Sequence, residues 1–240
     1  MLWKVIRYGQ VPSTQDLARE AAHKRGGIGT VILAESQFSG RGRSGRSWVS
    51  SVGGLYFTAV LRPSSRPGLI PLMAGVAVAE AIRRLTGLGA ELKWPNDILL
   101  GRRKVAGVLA ETVWRGGEAL YTLLGIGLNI NNILPEDLPQ TTTLSKELGH
   151  EVDAESLLSV LLGEIGVWSE RLDESLDGVL ESWRDLSATL GRKVDVIDST
   201  GELIRGVAVD VDMDGALLVD VGGEIRRLHS GTLVDAIVKC

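Results

Sequence analysis

The chain has 240 residues, of which 44% are hydrophobic and 23% are charged, and its formal net charge is −4. This composition is ordinary for a soluble globular protein, and the acidic balance argues against nucleic acid as the main partner, because nucleic-acid binders usually present a basic face. The one cysteine, Cys240, cannot form an internal disulfide and favours a reducing compartment. The N-terminal residues lack a signal-peptide pattern, and the longest apolar tract, residues 69–82, is too short to span a bilayer, so we expect a cytoplasmic protein without a membrane partner.

The first third of the chain predicts alternating strands and helices. Ser13 followed by Asp16 and by apolar residues is typical of a capped helix start, and the free N–H groups of such a start can also bind a polar ligand. The predicted elements are a strand over 3–8, a helix from Ser13 to Gly26–Gly27, strands over 30–35 and 54–61, and a helix over 69–85 that Gly87 ends.

The remainder predicts an antiparallel region, two helices and then a change of pattern. The predicted elements are a strand over 91–97 broken by Pro95, a hairpin of 98–100 with 104–114, a strand over 119–126, amphipathic helices over 154–172 and 176–190, and short strands over 194–197, 203–211, 216–221 and 224–228. We therefore predict two domains, 1–190 and 191–240. The expected fold is α+β, a mixed and largely antiparallel sheet flanked by helices, followed by a small SH3-like barrel.

One stretch combines glycine, arginine and an aromatic residue at high density. Residues 40–48 (GRGRSGRSW), here called the Gly-Arg loop, follow a predicted strand. Glycine lets the backbone approach a ligand closely, and arginine offers a planar fork of donors for phosphate or carboxylate. The pattern indicates a loop that folds over a nucleotide or another anion, although a solvated basic turn would have the same composition.

Several familiar sites are excluded by the residues themselves. Residues 40–45 match the dinucleotide pattern G-x-G-x-x-G, but a strand rather than a helix is predicted after them, and no acidic residue lies in 60–66. Gly-Lys never occurs, so there is no Walker A loop. The three histidines are isolated and G-x-S-x-G is absent, which argues against a metal centre and a hydrolytic triad.

The candidates that remain are cations and small polar groups at predicted strand ends. Lysine can follow the growing negative charge of a phosphoryl oxygen, a carboxylate can hold Mg²⁺ on a triphosphate, and asparagine and tryptophan can contact adenine. Each has a plain alternative: Lys93 with Asp97 as a surface pair, Asn129 as a turn residue, Ser13 as a helix cap only. The candidate residues are Arg41, Arg43, Arg46, Trp48, Lys93, Asp97, Lys104 and Asn129.

These motifs together resemble the biotin protein ligases, also called biotin–[acetyl-CoA-carboxylase] ligases. The matching segments, in the family's order, are SGRGRSGRSW (39–48), GGLYFT (53–58), KWPNDILL (93–100), KVAGVLAE (104–111) and GIGLNIN (125–131). The resemblance covers residues 10–240 and implies a class II synthetase-like catalytic domain. It also implies the activity: biotin and ATP form biotinyl-5′-AMP with release of pyrophosphate, and the biotinyl group then passes to one lysine of a carrier protein.

The resemblance implies roles for individual residues. Lys104 matches the lysine that bridges the biotin carboxylate and the α-phosphate, and Arg43 matches a loop arginine near that phosphate. The implied catalytic residues are Lys104, Arg43 and Lys93; the biotin site comprises Ser13, Thr14, Gln15, Gln37, Arg41, Gly42, Lys104 and Gly107; the ATP site comprises Arg43, Arg46, Trp48, Lys93 and Asn129; and Asp97 is the implied ligand of Mg²⁺.

The resemblance also implies partners and has departures. The expected partner is a biotin carboxyl carrier protein of the acetyl-CoA, propionyl-CoA or pyruvate carboxylase type, and pairing through sheet edges leaves a homodimer open. Many relatives have Asn where this chain has Gln15, and the segment Ser230–Val234 differs from the usual Ser-Gly-Glu-Val pattern. Because the catalytic segment begins by residue 10, we expect no DNA-binding winged helix and no repressor function.

Three other functions compete with this interpretation. Lipoate–protein ligases share the architecture and the adenylation chemistry, but the Gly-Arg loop together with KWPND favours biotin. A biotin or nucleotide sensor without turnover is disfavoured because Lys93, Asp97 and Lys104 are all present. A structural protein with a basic surface would not explain why the cations cluster at strand ends beside glycines.

Overall fold

A computed structural model describes residues 2–23, 27–174 and 176–234; Gly26 and Cys240 lie outside these ranges. The strands are β1 (Lys4–Val11), β2 (Thr30–Gln37), β3 (Leu55–Leu61), β4 (Glu91–Lys93), β5 (Asp97–Leu100), β6 (Arg103–Arg115), β7 (Glu118–Leu128), β8 (Lys193–Asp198), β9 (Leu203–Val211), β10 (Leu217–Val221), β11 (Glu224–Leu228) and β12 (Gly231–Val234). The helices are α1 (Thr14–His23), α2 (Ile70–Thr86), α3 (Leu144–Leu148), α4 (Ala154–Glu174) and α5 (Leu176–Asp185).

Within the described residues, β1 to β7 form one mixed sheet. The strand order is β1-β2-β3-β7-β6-β5-β4, and only β1 with β2 is parallel. The prediction of a mixed, largely antiparallel sheet is confirmed.

The two faces of this sheet are covered differently. On one face, Ala18 of α1 packs against Ile32, Val60 and Leu123. On the other face, α2, α4 and α5 form the main core, which contains Trp168 and Trp183. Because successive side chains of a strand alternate between faces, β2, β3 and β7 contribute buried residues to both layers.

The second, smaller sheet contains β8 to β12. Its strand order is β11-β10-β9-β8-β12, all antiparallel, and Gly215 and Gly222 have the left-handed backbone expected of hairpin turns. The predicted C-terminal β unit is confirmed, with β12 as a strand that the sequence pattern did not indicate. Within the described residues β11 and β12 lie at opposite edges of this sheet and do not pair with each other, so closure into the expected SH3-like barrel stays a prediction.

The segment after α5 joins the two sheets. The helix predicted to reach residue 190 ends instead at Asp185, because the following backbone pairs with β4. The N–H of Leu92 donates to the carbonyl of Leu186, and the N–H of Ala188 donates to the carbonyl of Leu92, both at 2.8 Å. The prediction was wrong there because apolar periodicity continues through a segment that forms sheet contacts. None of the described helices is both long and apolar enough to cross a membrane.

Candidate active site

A cavity lies on the α1 face of the main sheet, at positions where glycines leave the strands without side chains. Gly107 of β6 and Gly127 of β7 are directly paired, and Gly125 pairs with Leu109 on one side and Thr58 on the other. A Cβ at Gly127 would collide with the Trp48 indole, and a Cβ at Gly107 would lie 3.1 Å from Trp48 Cζ3. Glycine inside a strand often marks the close approach of a ligand. The cavity has a volume of about 120 Å³.

The Gly-Arg loop folds over this cavity as a tight turn. The N–H of Trp48 donates to the carbonyl of Gly40 at 2.9 Å, and the N–H of Gly42 donates to the carbonyl of Arg46 at 2.7 Å. Gly45 turns the chain with φ +72°, a conformation that favours glycine. The loop therefore places the Trp48 ring on the surface formed by Gly107, Gly125 and Gly127, here called the glycine floor. Among the described residues, the Nε1 of this ring is buried and has no hydrogen-bond partner.

One end of the cavity is a network of neutral polar groups at the start of α1. The Oε1 of Gln37 accepts from the N–H of Thr14 at 2.8 Å, and the hydroxyls of Thr14 and Thr58 lie 2.8 Å apart. The Thr58 hydroxyl also donates to Gln15 Oε1 at 2.9 Å, and Gln37 Nε2 donates to Ser50 Oγ at 2.8 Å. These amides and hydroxyls hold one another in fixed positions and offer both donors and acceptors to a polar ring.

The other end of the cavity is cationic. Lys104 Nζ lies 2.5 Å from Asp97 Oδ1 and 5.1 Å from the centroid of the Trp48 ring. Arg43 Nη1 donates to Asn96 Oδ1 at 3.4 Å. Burial, followed by the positive charge of Arg46, lowers the pKa of Arg43 from its usual value, whereas Asp97 opposes that shift. Burial and the nearby like charge both disfavour the charged form of Arg43. A bound anion would offset these two effects, so this end of the cavity is suited to an anion.

Most of the predicted site residues line this one cavity. They are Ser13, Thr14, Gln15, Gln37, Arg41, Gly42, Arg43, Arg46, Trp48, Asp97, Lys104 and Gly107. Lys93 and Asn129 are not among the described lining residues. Lys93 stands opposite Asp97 in the pairing of β4 with β5, and Asn129 is buried, with its Oδ1 accepting from Asn132 Nδ2 at 3.2 Å.

The structure adds lining residues that sequence reasoning missed. Thr58 is fully buried at the polar end, Asn96 contacts Arg43, and Gly125 and Gly127 form the floor. A signal for the floor was present, since glycines two positions apart on a strand remove side chains from one face. No comparable signal marked Thr58, because a threonine in a strand is ordinary.

The described residues contain no cluster of three or more His, Cys, Asp or Glu side chains that could hold a metal ion. Asp97 is the one carboxylate among the described lining residues. This donor set suits Mg²⁺ only where phosphates and water supply most of the ligands, which is how Mg²⁺ usually binds with nucleotides.

Comparisons with known proteins extend these observations. The sequence profile of the biotin/lipoate A/B protein ligase family matches residues 9–129, and that of the biotin protein ligase C terminal domain matches residues 189–233. The chain is 33% identical over 228 residues to a biotin–[acetyl-CoA-carboxylase] ligase of Mycobacterium tuberculosis, covering 91% of this chain and 84% of that protein. It is 28% identical over 238 residues to a bifunctional ligase/repressor BirA of Bacillus subtilis, covering 95% of this chain and 73% of that protein.

A solved structure is similar over almost the whole chain. It is a biotin protein ligase from Aquifex aeolicus in complex with biotin and ATP, with a TM-score of 0.84 and 30% identity. The match covers 96% of this chain and 97% of that one.

Proposed function

The chain belongs to the biotin/lipoate A/B protein ligase family and is a biotin ligase, and we propose that it activates biotin with ATP and then transfers the biotinyl group to a lysine of a carrier protein. In the first step a biotin carboxylate oxygen attacks the α-phosphorus of ATP, giving biotinyl-5′-AMP and pyrophosphate. In the second step the lysine amine attacks the biotinyl carbonyl, AMP leaves, and the amine loses a proton. The observation that supports this best is one cavity with a neutral polar end and a cationic end.

The polar end supports biotin over lipoate. The ureido ring of biotin carries two N–H donors and a carbonyl acceptor, whereas the dithiolane ring of lipoate offers no strong hydrogen-bonding group. Thr14, Gln15, Gln37 and Thr58 already form a fixed hydrogen-bond network there. A site with buried polar groups discriminates strongly against a ligand that would leave those groups unpaired.

The cationic end supports the adenylation step. A carboxylate and a phosphate must meet, and two anions repel each other unless positive charge lies between them. Lys104 and Arg43 supply that charge from fixed positions, and preorganised charge is usually the largest contribution to such a reaction. No covalent enzyme intermediate is required, which agrees with the lack of an activated nucleophile among the candidate residues.

Asp97 is proposed as the protein ligand of Mg²⁺, with phosphates and water completing the shell. When bound, the ion would supply positive charge to the triphosphate. Asp97 lies beside Lys104, so the same short segment orients both the metal ligand and the catalytic lysine.

The proposed ATP site also includes Arg46, Trp48, Lys93 and Asn129. Trp48 lies on the glycine floor, where its Nε1 has no hydrogen-bond partner in the described part of the chain, and its ring presents a flat apolar surface. Because Lys93 and Asn129 do not line the cavity, we expect any effect of theirs on nucleotide binding to be smaller than that of Trp48.

The proposed partner is a biotin carboxyl carrier protein. Biotinyl-5′-AMP is a mixed anhydride that water destroys, so it must be shielded until the carrier lysine arrives. The Gly-Arg loop covers the cavity and can provide that shielding.

The test is exchange of labelled pyrophosphate into ATP with biotin, with lipoate, and with neither. Exchange that requires biotin and Mg²⁺ would support the first step, and transfer of label from biotin to a purified carrier domain would support the second. Exchange with lipoate only would contradict the choice of substrate. Tight biotin binding without exchange would identify a sensor instead.

Lys104→Ala tests the catalytic assignment. We expect exchange to fall by a factor on the order of 10² to 10³ or more, the usual loss when one preorganised charge is removed from a transition state. Lys146→Ala, which removes an exposed lysine on α3, is the control and should retain the native rate. Near-native exchange by the Lys104 variant would remove this residue from the catalytic role.

A further inference from the structure

Arg41 of the Gly-Arg loop is held by Asp16 of the first turn of α1. Both terminal nitrogens of the Arg41 guanidinium contact the carboxylate: Nη1 lies 2.8 Å from Oδ1, and Nη2 donates to Oδ2 at 2.8 Å. This two-point geometry fixes direction as well as distance. The sequence pattern explains Asp16 only as a residue that favours a helix start.

The same carboxylate belongs to a chain of charges that returns to the cavity. Arg19 Nη1 lies 3.5 Å from Asp16 Oδ1, and Arg19 Nη2 lies 2.5 Å from Glu111 Oε2. Glu111 also accepts from Gln15 Nε2 at 3.1 Å. Gln15 is the direct neighbour of Asp16, so the loop arginine and the polar end of the cavity share one supporting network.

We propose that Asp16 is a positioning residue, which acts through Arg41 to hold the Gly-Arg loop over the cavity. This inference rests on the proposed function only in the part that concerns biotin. Asp16 does not line the cavity; it holds a residue that does.

The other side-chain hydrogen bonds from the loop to the rest of the described chain are weaker. Among the described residues, Arg43 reaches Asn96 and Arg46 reaches Thr232, each at 3.4 Å and from a single nitrogen. The Asp16–Arg41 pair is shorter and has two contacts. Isolated exposed pairs contribute little, but a two-point pair within a network is at the upper end of their range.

The position of this pair explains why the loop would respond as a unit. Arg41 and Ser47 form a backbone bridge, and the N–H of Trp48 donates to the carbonyl of Gly40, so both ends of the loop are tied to each other. A constraint on Arg41 therefore also constrains Arg43 and the Trp48 ring.

The first test is limited trypsin digestion of the ligand-free protein, with cleavage after Arg43 and Arg46 followed by mass spectrometry. We expect Asp16→Asn to raise the cleavage rate about fivefold, as for loss of an ion pair at the upper end of the exposed range. The control is Glu155→Gln, because Glu155 forms a similar two-point pair with Arg7 at 2.6 and 2.7 Å but lies away from the loop. It should cleave at the native rate.

A double variant separates positioning from a general effect on α1. If Asp16 acts through Arg41, then Arg41→Gln should raise cleavage after Arg43 by a similar factor, and the double variant should cleave no faster than either single variant. If Asp16 instead acts only by stabilising the start of α1, the increases in cleavage rate of the two single variants should multiply in the double variant. Native cleavage in Asp16→Asn, or multiplied rates in the double variant, would overturn the proposal.

The second test concerns biotin. In the pyrophosphate exchange assay, Asp16→Asn should raise the KM for biotin about fivefold, by the same ion-pair argument, and leave kcat nearly unchanged. Asp16→Glu, which keeps the charge, should restore part of the affinity. An unchanged KM would contradict the link to biotin, whereas failure of exchange in the native protein would contradict the proposed function and leave the digestion result valid.

Discussion

Trp94 connects the two sheets, and we predict that Trp94→Phe weakens both the fold and the site. The indole Nε1 donates to the carbonyl of Gly215 at 3.0 Å, and the backbone N–H donates to Thr189 Oγ1 at 3.0 Å. The ring is 1% exposed and belongs to a core that also contains Val196 of the second sheet. Phenylalanine keeps the backbone contact but removes the indole donor and part of the ring.

The cost can be worked from these contacts. The buried carbonyl of Gly215 would lose its partner, at a cost of about 1–3 kcal/mol. The smaller ring would leave a void of roughly 40 Å³, which at about 24 cal/mol per Å³ adds about 1 kcal/mol. We therefore expect the free energy of unfolding to fall by about 2–4 kcal/mol, a large part of the stability of an ordinary domain.

Urea unfolding followed by far-UV circular dichroism measures this change, and Trp3→Phe is the matched control. The indole of Trp3 also donates to a carbonyl, that of Leu162 at 2.9 Å, but the bond is only partly buried. Water can replace that donor, so we expect a smaller loss. Equal losses in the two variants would refute the reasoning.

The activity of the two variants should also differ. Asn96 and Asp97 lie two and three positions after Trp94 in the chain and line the cavity, so a shift of the ring would displace them. Pyrophosphate exchange should fall in Trp94→Phe and stay native in Trp3→Phe.

Two further predictions concern the cavity floor and acid stability. Gly127→Ala should displace the Trp48 ring and weaken ATP binding, measured by calorimetry, whereas Gly89→Ala, with open space around it, should bind ATP normally; equal binding by the two variants would contradict the role of the floor. Burial raises the pKa of Asp212, but hydrogen bonds from Arg227 and from backbone N–H groups outweigh it and lower the pKa overall. Such a group stabilises the fold fully above its unfolded pKa of about 3.9 and loses that contribution as the pH falls through its folded pKa, so Asp212→Asn should cost more stability at pH 7 than at about pH 3. An equal cost at both pH values in urea unfolding would contradict this.

The sequence predicted the helices and strands well, but it predicted poorly the contacts that these elements make with residues far away in the chain. Strands with clear alternation, such as β9, and the helix ended by Gly87 were found because their signals are local. The end of α5 was wrong, because only the pairing of Leu186 and Ala188 with β4 stops that helix. The strand β12 escaped notice because four residues are too few to show a period.

The site shows the same division. The residue types of the Gly-Arg loop and the glycines at 107, 125 and 127 were visible in the sequence, and most predicted residues do line one cavity. The pairing of Arg41 with Asp16 could not be predicted, because the two residues are 25 positions apart and each has a simpler local explanation. Thr58 was missed because burial, rather than residue type, gives it a place in the network.

The floor of the cavity consists of main chain, and this limits how its selectivity can change. At Gly107, Gly125 and Gly127 there is no side chain to shorten, so every substitution there adds atoms and makes the space smaller. Room for a bulkier ligand must therefore come from the opposite wall, through residues such as Gln15 or Trp48. Efforts to alter the range of accepted ligands should thus vary α1 and the Gly-Arg loop, and keep the strands as a constant surface.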